Sequence, residues 1–353
     1  MQKSNSKKKK VFVGMSGGVD SSVAALLMKK KGYEVTGVFI KVWQPDFVEC
    51  TWREDRRDAM RICTQLEIPF ITLDLEKEYK EGVIDYMISE YKAGRTPNPD
   101  VFCNKEVKFG AFLDWALKNG ADFVATGHYA QNKNNLLYKA KDSSKDQSYF
   151  LWTLNKKQLE KIIFPIGNLL KTEIREIAIK NNLATARKRD SQGLCFIGKI
   201  DVKDFLKKFI KTKEGKIVDL NSKKEVASHN GVFFYTIGEK MNGKYLIKKD
   251  LKKNILYVGD TLKVKDPKDK KKIILEQINF NLSLKKGNTY SVVERYHVKE
   301  TKIKILSVKE NKTKKELEIE YSLVKGSSDF IYTEGQSLVF FDKNILLGGG
   351  IMK

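Results

Sequence analysis

The stretch that most constrains this chain is VFVGMSGGVDSSVAALLM, Val11 to Met28. A short apolar run, Val11 to Val13, gives way to a small, polar turn from Gly14 to Ser22. Val23, Ala24, Leu26, Leu27 and Met28 then supply an apolar helix face, closed by Lys29-Lys30-Lys31-Gly32. The pattern predicts strand, glycine turn and helix, with Gly32 as the helix C-cap. Such a helix start leaves N–H groups unpaired, and the helix dipole adds positive charge there, so the turn is an anion site. Ser16, Ser21 and Ser22 offer hydroxyl donors, while Gly17 and Gly18 let a phosphate approach the backbone. No Gly-Lys-Ser/Thr closes the loop, so it is not a Walker A sequence.

A chain of 353 residues is long for one core, and two or three domains are expected. No 18-residue apolar run exists, which argues against a membrane span. Lys7 to Lys10 precede only a short apolar run that breaks at Gly14, unlike a secretory signal, and no Arg-rich transit peptide is seen. The expected compartment is the cytoplasm, with no membrane partner. The net charge is +23, from 67 basic and 44 acidic residues. From Asp201 onward there are 33 basic and 20 acidic residues, so the excess is spread along the chain and favours a polyanionic partner. Cys50, Cys63, Cys103 and Cys195 form no CxxC pair, which argues against a zinc ribbon.

Further strands are expected over Tyr33 to Trp43, Phe70 to Leu75 and Ala121 to Ala130, alternating with helices over Arg53 to Glu67 and Tyr79 to Tyr91. That alternation predicts a parallel sheet with helices on both faces and the ligand at the strand ends. Cys63 falls on an apolar helix face and reads as core. Thr96 to Asp100 is expected to be irregular because of its two prolines. Cys103 is expected in or just before the first turn of the next helix, where Lys105 and Lys108 favour a thiolate; a buried, inert cysteine is the other open reading. A core histidine and a ligand-binding one are both open readings of His128. Leu136 to Ala140 reads as an edge strand, Lys171 to Asn182 as a helix, and Arg187 to Gly198 as a basic loop carrying Cys195. Beyond a helix over Val202 to Ile210 the chain becomes glycine-broken and then strand-like, with period-two alternation in Lys302 to Ile305 and Glu316 to Tyr321. Ser337 to Phe341 and a turn at Gly348-Gly349-Gly350 complete an antiparallel barrel.

SGGVDSS resembles the PP-loop of the ATP pyrophosphatases, which grips the pyrophosphate of ATP and implies that Asp20 organises phosphates or Mg2+. With EYKAGRTPNPDVFCNKEVKFGAF, TGHYA, DSSKDQSYFLWTL, DSQGLCFIG and FYTIG, the whole chain resembles the tRNA-specific 2-thiouridylases. The resemblance implies an α/β PP-loop domain, adenine nucleotide alpha hydrolase-like and Rossmann-like, over residues 1–200. A small central tRNA-contacting domain over 201–270 and a C-terminal antiparallel β-barrel over 271–353 would follow. It implies ATP contacts from Gly14, Met15, Ser16, Gly17, Gly18, Val19, Asp20, Ser21, Ile40 and Gly127. Asn98, Pro99 and Asp100 would face the target base, and His128, Lys145, Asp146, Gln147, Arg295, Tyr296 and Gln336 would contact tRNA. Cys103 would be the nucleophile and Cys195 the persulfide carrier, ending as a disulfide that a cellular reductant resets. An iron–sulfur cluster on Asp100, Cys103 and Cys195 is the alternative use of that set.

The implied reaction is ATP-dependent adenylation of the wobble uridine C2 oxygen in tRNAs for Lys, Glu and Gln, then transfer of sulfur from a persulfide donor protein. Another PP-loop adenylating enzyme is the competing reading, and it leaves the two cysteines and the KDQSYFL block without a use. Ile40 stands where the family often has Met, FYTIGEKMNG departs from the family's usual sequence after TIG, and Cys50 matches no family role.

Overall fold

The β-branched runs and amphipathic segments fold as two units in the computed structural model, which describes residues 8–47, 52–189, 201–262, 271–311, 313–327 and 331–353. The first unit comprises residues 1–83, 100–199 and 344–346; the second comprises 84–99, 200–343 and 347–353. Cys50 and Cys195 lie outside the described residues.

In the first unit the strands are β1 (Lys10–Gly14), β2 (Glu34–Lys41), β3 (Phe70–Asp74), β4 (Phe123–Thr126), the short hairpin β5 (Gln131–Lys133) and β6 (Leu136–Tyr138), and β7 (Ile162–Ile163). The main sheet is parallel, in the order β3-β2-β1-β4-β7. The chain runs outward from β1 to β2 and β3, then returns to the other side of β1 with β4. That reversal makes the carboxyl end of β1 a topological switch point, where α/β sheets bind ligands. The helices, in chain order, are α1 (Val19–Lys30), α2 (Trp52–Gln65), α3 (Glu76–Tyr79), α4 (Tyr86–Lys92), α5 (Pro99–Phe102), α6 (Phe112–Lys118), α7 (Lys156–Leu159) and α8 (Lys171–Lys180). Of these, α4 belongs to the second unit.

Val11 and Val13 of β1, Val23, Ala24 and Met28 of α1, and Ala59, Ile62 and Cys63 of α2 share one core. Cys63 is core, as its helical spacing predicts; burial pushes its thiol up to about 12. It fits because residue 37 is glycine: a Cβ there would lie 2.3 Å from the Cys63 sulfur.

Three local expectations before residue 131 are revised. The segment expected as one helix over Tyr79 to Tyr91 is α3, a π-helical stretch over Lys80–Asp85, then α4. The strand expected over Ala121 to Ala130 is only Phe123–Thr126, so Gly127 and His128 lie beyond its end. Thr96 to Asn98 are irregular, but Pro99 opens α5, where its missing N–H costs nothing and its fixed φ suits a helix start.

The second unit holds α9 (Val202–Lys207) and a five-stranded sheet ordered β10-β11-β12-β8-β9. Its strands are β8 (Gly215–Asp219), β9 (Glu225–His229), β10 (Lys240–Met241), β11 (Lys244–Asp250) and β12 (Ile255–Gly259). The barrel strands are β13 (Lys271–Phe280), β14 (Thr289–Val293), β15 (Thr301–Asn311), β16 (Glu316–Leu323), β17 (Ser337–Asp342) and β18 (Ile345–Met352). They run β13-β16-β15-β14-β17-β18, and β13 pairs back on β18 to close the barrel. Burial alternates strictly along β16, matching its period-two sequence.

The glycine triplet at 348–350 is not a turn; it lies within β18. A Cβ at Gly348 would stand 2.2 Å from the Asn279 carbonyl oxygen, and one at Gly350 would stand 2.9 Å from the Leu275 Cβ. The closing strand is glycine-rich because β13 crosses it too closely for side chains.

Candidate active site

Gly18 sits at the N-cap of α1 with extended backbone and no side chain to cap the helix. The first turn of a 12-residue helix is thus left with donors for a ligand at the switch point. The turn holds its shape internally. Ser21 Oγ donates to the Gly18 carbonyl at 3.0 Å and accepts from the Ser16 N–H at 3.2 Å. Ser22 Oγ also donates to Gly18, at 2.8 Å, and accepts from Thr185 Oγ1 at 2.9 Å. Ser22 is therefore buried structural support rather than a phosphate donor, since its hydroxyl is already spent.

The two glycines differ. Gly17 has φ +73°, and a Cβ on it would lie 2.3 Å from the Asp55 carbonyl oxygen of α2. At Gly18 a Cβ would meet only Ser16 Oγ, at 3.5 Å. Gly17 is demanded by the turn itself, whereas Gly18 leaves space for a ligand. Gly127 is a second close approach, because a Cβ there would lie 2.7 Å from the Ser21 backbone nitrogen. Gly14 ends β1, Met15 is buried and donates its N–H to Val38, and Val19 and Ile40 are buried apolar residues.

Asp20, in the first turn of α1, receives Lys171 Nζ on both carboxylate oxygens, at 2.8 and 2.9 Å, and the Tyr129 hydroxyl at 2.7 Å. Neither Lys171 nor Tyr129 was legible as a site residue. A signal existed for the first: a lysine in the opening turn of α8 opposes the helix dipole and calls for a nearby anion. The Lys171 N–H also donates to Asp142 at 2.9 Å. Lys188 bonds Asp55 and Asp58 of α2, each at 2.7 Å.

Cys103 is 1% exposed and opens a π-helical stretch, Cys103–Ala111, that continues from α5. It thus sits one turn inside the helical run that begins at Pro99, and α5 puts Asp100 and Cys103 three residues apart on one face. π-Helical insertions are frequent at functional sites.

His128 is buried between Phe109 and Phe164, with ring centroids 5.6 and 6.1 Å away, and its Nδ1 bonds Thr126 Oγ1 at 2.8 Å. Burial, with Lys108 adding to it, holds the imidazole neutral well below the usual histidine range. The KDQ block braces this strand end. Gln147 exchanges two bonds with the Tyr129 backbone, at 2.8 and 3.0 Å. Asp146 accepts from Ala140 N–H at 2.8 Å and Ser148 Oγ at 2.7 Å, and burial raises its carboxyl pKa. Lys145 is half-buried beside them.

In the second unit, Gln336 is 7% exposed and donates to the Thr96 carbonyl at 2.6 Å and the Pro97 carbonyl at 3.3 Å. Arg295 donates to the Ile237 carbonyl at 2.6 Å and to Thr333 Oγ1 at 2.8 Å. Tyr296 packs on His297, with ring centroids 3.9 Å apart. Among the described residues no cluster of three or more His, Cys, Asp or Glu stands ready for a metal, and no helix is long and apolar enough to cross a membrane.

A glycine-capped helix at the switch point of a parallel sheet, followed by a small sheet and a closed barrel, defines a modular α/β nucleotide-binding class. A family model described as the tRNA methyl transferase HUP domain matches residues 9–199, and one described as the tRNA methyl transferase PRC-barrel domain matches residues 203–260. The tRNA-specific 2-thiouridylase MnmA of Streptococcus mutans is 40% identical over 364 residues, covering 98% of this chain and 95% of its own. That of Oceanobacillus iheyensis is 42% identical over 363 residues, with the same coverage, and that of Streptococcus sanguinis is 40% identical over 369 residues, covering 99% and 96%. The chain belongs to the tRNA-specific 2-thiouridylase family.

Proposed function

We propose that this protein is a tRNA-uridine 2-sulfurtransferase that adenylates the C2 oxygen of the wobble uridine and replaces it with sulfur. The observation carrying this reading is the uncapped start of α1 at the switch point, next to Asp20, in a chain of this family. The first-turn N–H groups, that of Ser21 included, and the Ser16 hydroxyl take the phosphates of ATP; Gly18 gives them room, and Gly127 lets the strand end lie against the helix start. Asp20, a 30% exposed carboxylate at a helix start, is the residue that would hold Mg2+, which would supply positive charge against the phosphate oxygens; Lys171, which engages both Asp20 oxygens, would give one of them up to the ion.

The C2 oxygen is a poor leaving group until it attacks the α-phosphorus of ATP and displaces pyrophosphate. The base leaves the anticodon stack to be reached, and Asn98, Pro99 and Asp100 meet it. The terminal sulfur of a Cys195 persulfide attacks C2, and AMP departs. Cys103, as thiolate, attacks the Cys195 sulfur, which releases the new C2–S group and leaves a Cys103–Cys195 disulfide. A cellular reductant restores both thiols, and a persulfide-carrying protein reloads Cys195. The substrates are the tRNAs for Lys, Glu and Gln, bound through basic residues that include Lys145 of the first unit and Arg295 of the second, with Tyr296 next to Arg295 in sequence.

The test is nucleoside mass spectrometry of these tRNAs after incubation with the protein, ATP, Mg2+ and a persulfide donor. 2-Thiouridine at the wobble position, with AMP and pyrophosphate in equal amount, is the expected result. Its absence with a donor shown to be active refutes the reading. Iron bound stoichiometrically after anaerobic purification, and required for activity, would replace the persulfide route by a cluster on Asp100, Cys103 and Cys195.

A further inference from the structure

The segment Gly94 to Pro97, which leads into the target-base residues, is held from several sides within the second unit. Helix α4 ends in a Schellman motif: the Gly94 N–H donates to Tyr91 and the Arg95 N–H to Glu90, both at 2.9 Å, with Gly94 at φ +80°. Leu251 fills the space over Gly94, since a Cβ there would lie 2.5 Å from either Leu251 methyl. The Arg95 guanidinium is turned back on the buried Glu90 carboxylate. The Thr96 N–H donates to Glu334 at 2.9 Å.

Beyond Thr96 the supply of N–H groups thins, because Pro97 and Pro99 have none. What remains to grip at Pro97 is its carbonyl, and the structure grips carbonyls. Lys249 of β11 sends Nζ to the Gly94 carbonyl at 2.5 Å and to the Tyr235 carbonyl at 3.1 Å. Gln336 sends its amide to the carbonyls of Thr96 and Pro97. Tyr235 and Thr236 belong to the FYTIG segment, and Thr236 Oγ1 stands 3.4 Å from Thr96 Oγ1. Lys249 is thus a mostly buried cation whose contacts are two backbone oxygens, with its other charged neighbours, Glu334 and Glu239, further off.

We infer that Lys249 and Gln336 are positioning residues for the target-base segment, fixing the backbone from Gly94 to Pro97 so that Asn98 and Pro99 are presented to the base already in place. The inference rests on the proposed function, in which Asn98 to Asp100 meet the uridine. It gives Gln336 a role inside the protein, acting through the loop rather than on RNA. Its kinetic consequence is specific. Loosening a pre-set loop lowers the rate of the chemical step while leaving the RNA-binding surface intact.

The experiment compares wild type, Lys249→Met, Lys249→Arg and Gln336→Met in single-turnover thiolation, with tRNA affinity and thermal unfolding measured beside it. Lys249→Met and Gln336→Met are expected to lower the single-turnover rate by about tenfold or more, with tRNA Kd within about twofold of wild type. Lys249→Arg, which keeps a donor, recovers part of the rate. A wild-type rate in both Met variants overturns the inference. So does a loss that appears in tRNA Kd with the rate unchanged, which would make these residues RNA contacts. If Lys249→Met does not fold, Gln336→Met, which leaves β11 untouched, decides by the same two outcomes. Failure of the proposed function is separable, because wild type itself would then form no 2-thiouridine.

Discussion

Gly17→Ala and Gly18→Ala change neighbouring residues by the same methyl group, and the structure assigns them different failures. At Gly17 the backbone has φ +73°, which costs an alanine about 1–2 kcal/mol. The new Cβ would also stand 2.3 Å from the Asp55 carbonyl oxygen and 2.9 Å from its carbonyl carbon. Both are backbone atoms of α2, so relief requires the turn or the helix to shift, at a further cost of about 1–3 kcal/mol. Asp55 cannot move alone, because its side chain holds Lys188. The total, about 2–5 kcal/mol, corresponds to a fall in Tm of about 5–15 °C at a few degrees per kcal/mol. Gly18→Ala meets only Ser16 Oγ at 3.5 Å and has negative φ, so its Tm stays within about 2 °C of wild type. Its methyl instead enters the ligand's space and raises the ATP Kd by about tenfold or more, equivalent to about 1.4 kcal/mol. Calorimetric unfolding and titration with Mg-ATP measure both quantities on the same preparations. Gly17→Ala with wild-type Tm, or Gly18→Ala losing as much Tm as Gly17→Ala, would refute the division of labour between the two glycines.

Lys171→Met leaves the Asp20 carboxylate with the Tyr129 hydroxyl alone, and is expected to weaken ATP binding about tenfold; unchanged titration curves would remove Lys171 from the site. Cys103→Ala and Cys195→Ala are each expected to abolish thiolation while tRNA affinity stays within about twofold, and 2-thiouridine formation by either variant would break the two-cysteine scheme. Burial brings the Lys249 ammonium down to about 8, Glu334 and Glu239 opposing the fall, whereas in the unfolded chain it titrates near 10.5. Between those pH values the unfolded state binds more protons, so stability rises by up to about 3 kcal/mol as pH increases from 8 toward 10.5 and is lost again on the way down. Denaturant titrations across that range should show the slope in wild type and a reduced slope in Lys249→Met; parallel curves would count against a desolvated cation. The affinity for tRNA should fall steeply between 50 and about 200 mM salt, as phosphate contacts require, and a flat response would exclude the basic surface as the RNA footprint.

Much of the first unit was legible because its signals are local. β-Branched runs, amphipathic helices and a glycine turn between them suffice to predict a parallel sheet with an anion site at a strand end. Cys63 was legible as core from helical spacing alone. What escaped depends on contacts distant in sequence. Lys171 lies 151 residues from Asp20, and Thr185 lies 163 residues from Ser22, so no window along the chain pairs them. The triplet at 348–350 carries the local mark of a turn, yet its glycines answer to β13 crossing close by. His128 illustrates a different limit: the sequence places it beside a glycine at a strand end, but only packing reveals the two aromatic rings enclosing it.

The π-helical stretch Cys103–Ala111 has a consequence for how this chain tolerates change in length. Each i→i+5 turn holds one residue more than its α-helical counterpart, so the stretch behaves as a stored insertion. Deleting one residue within it, Gly110 for example, would let the ladder relax to α-helix and leave no gap in the chain. The widened turn already absorbs that residue, so α6 and the turn bearing Cys103 would keep their mutual facing, whereas the same deletion in a regular α-helix would rotate one end against the other by about 100°. This stretch is thus where the chain can lose a residue without turning the sulfur of Cys103 away.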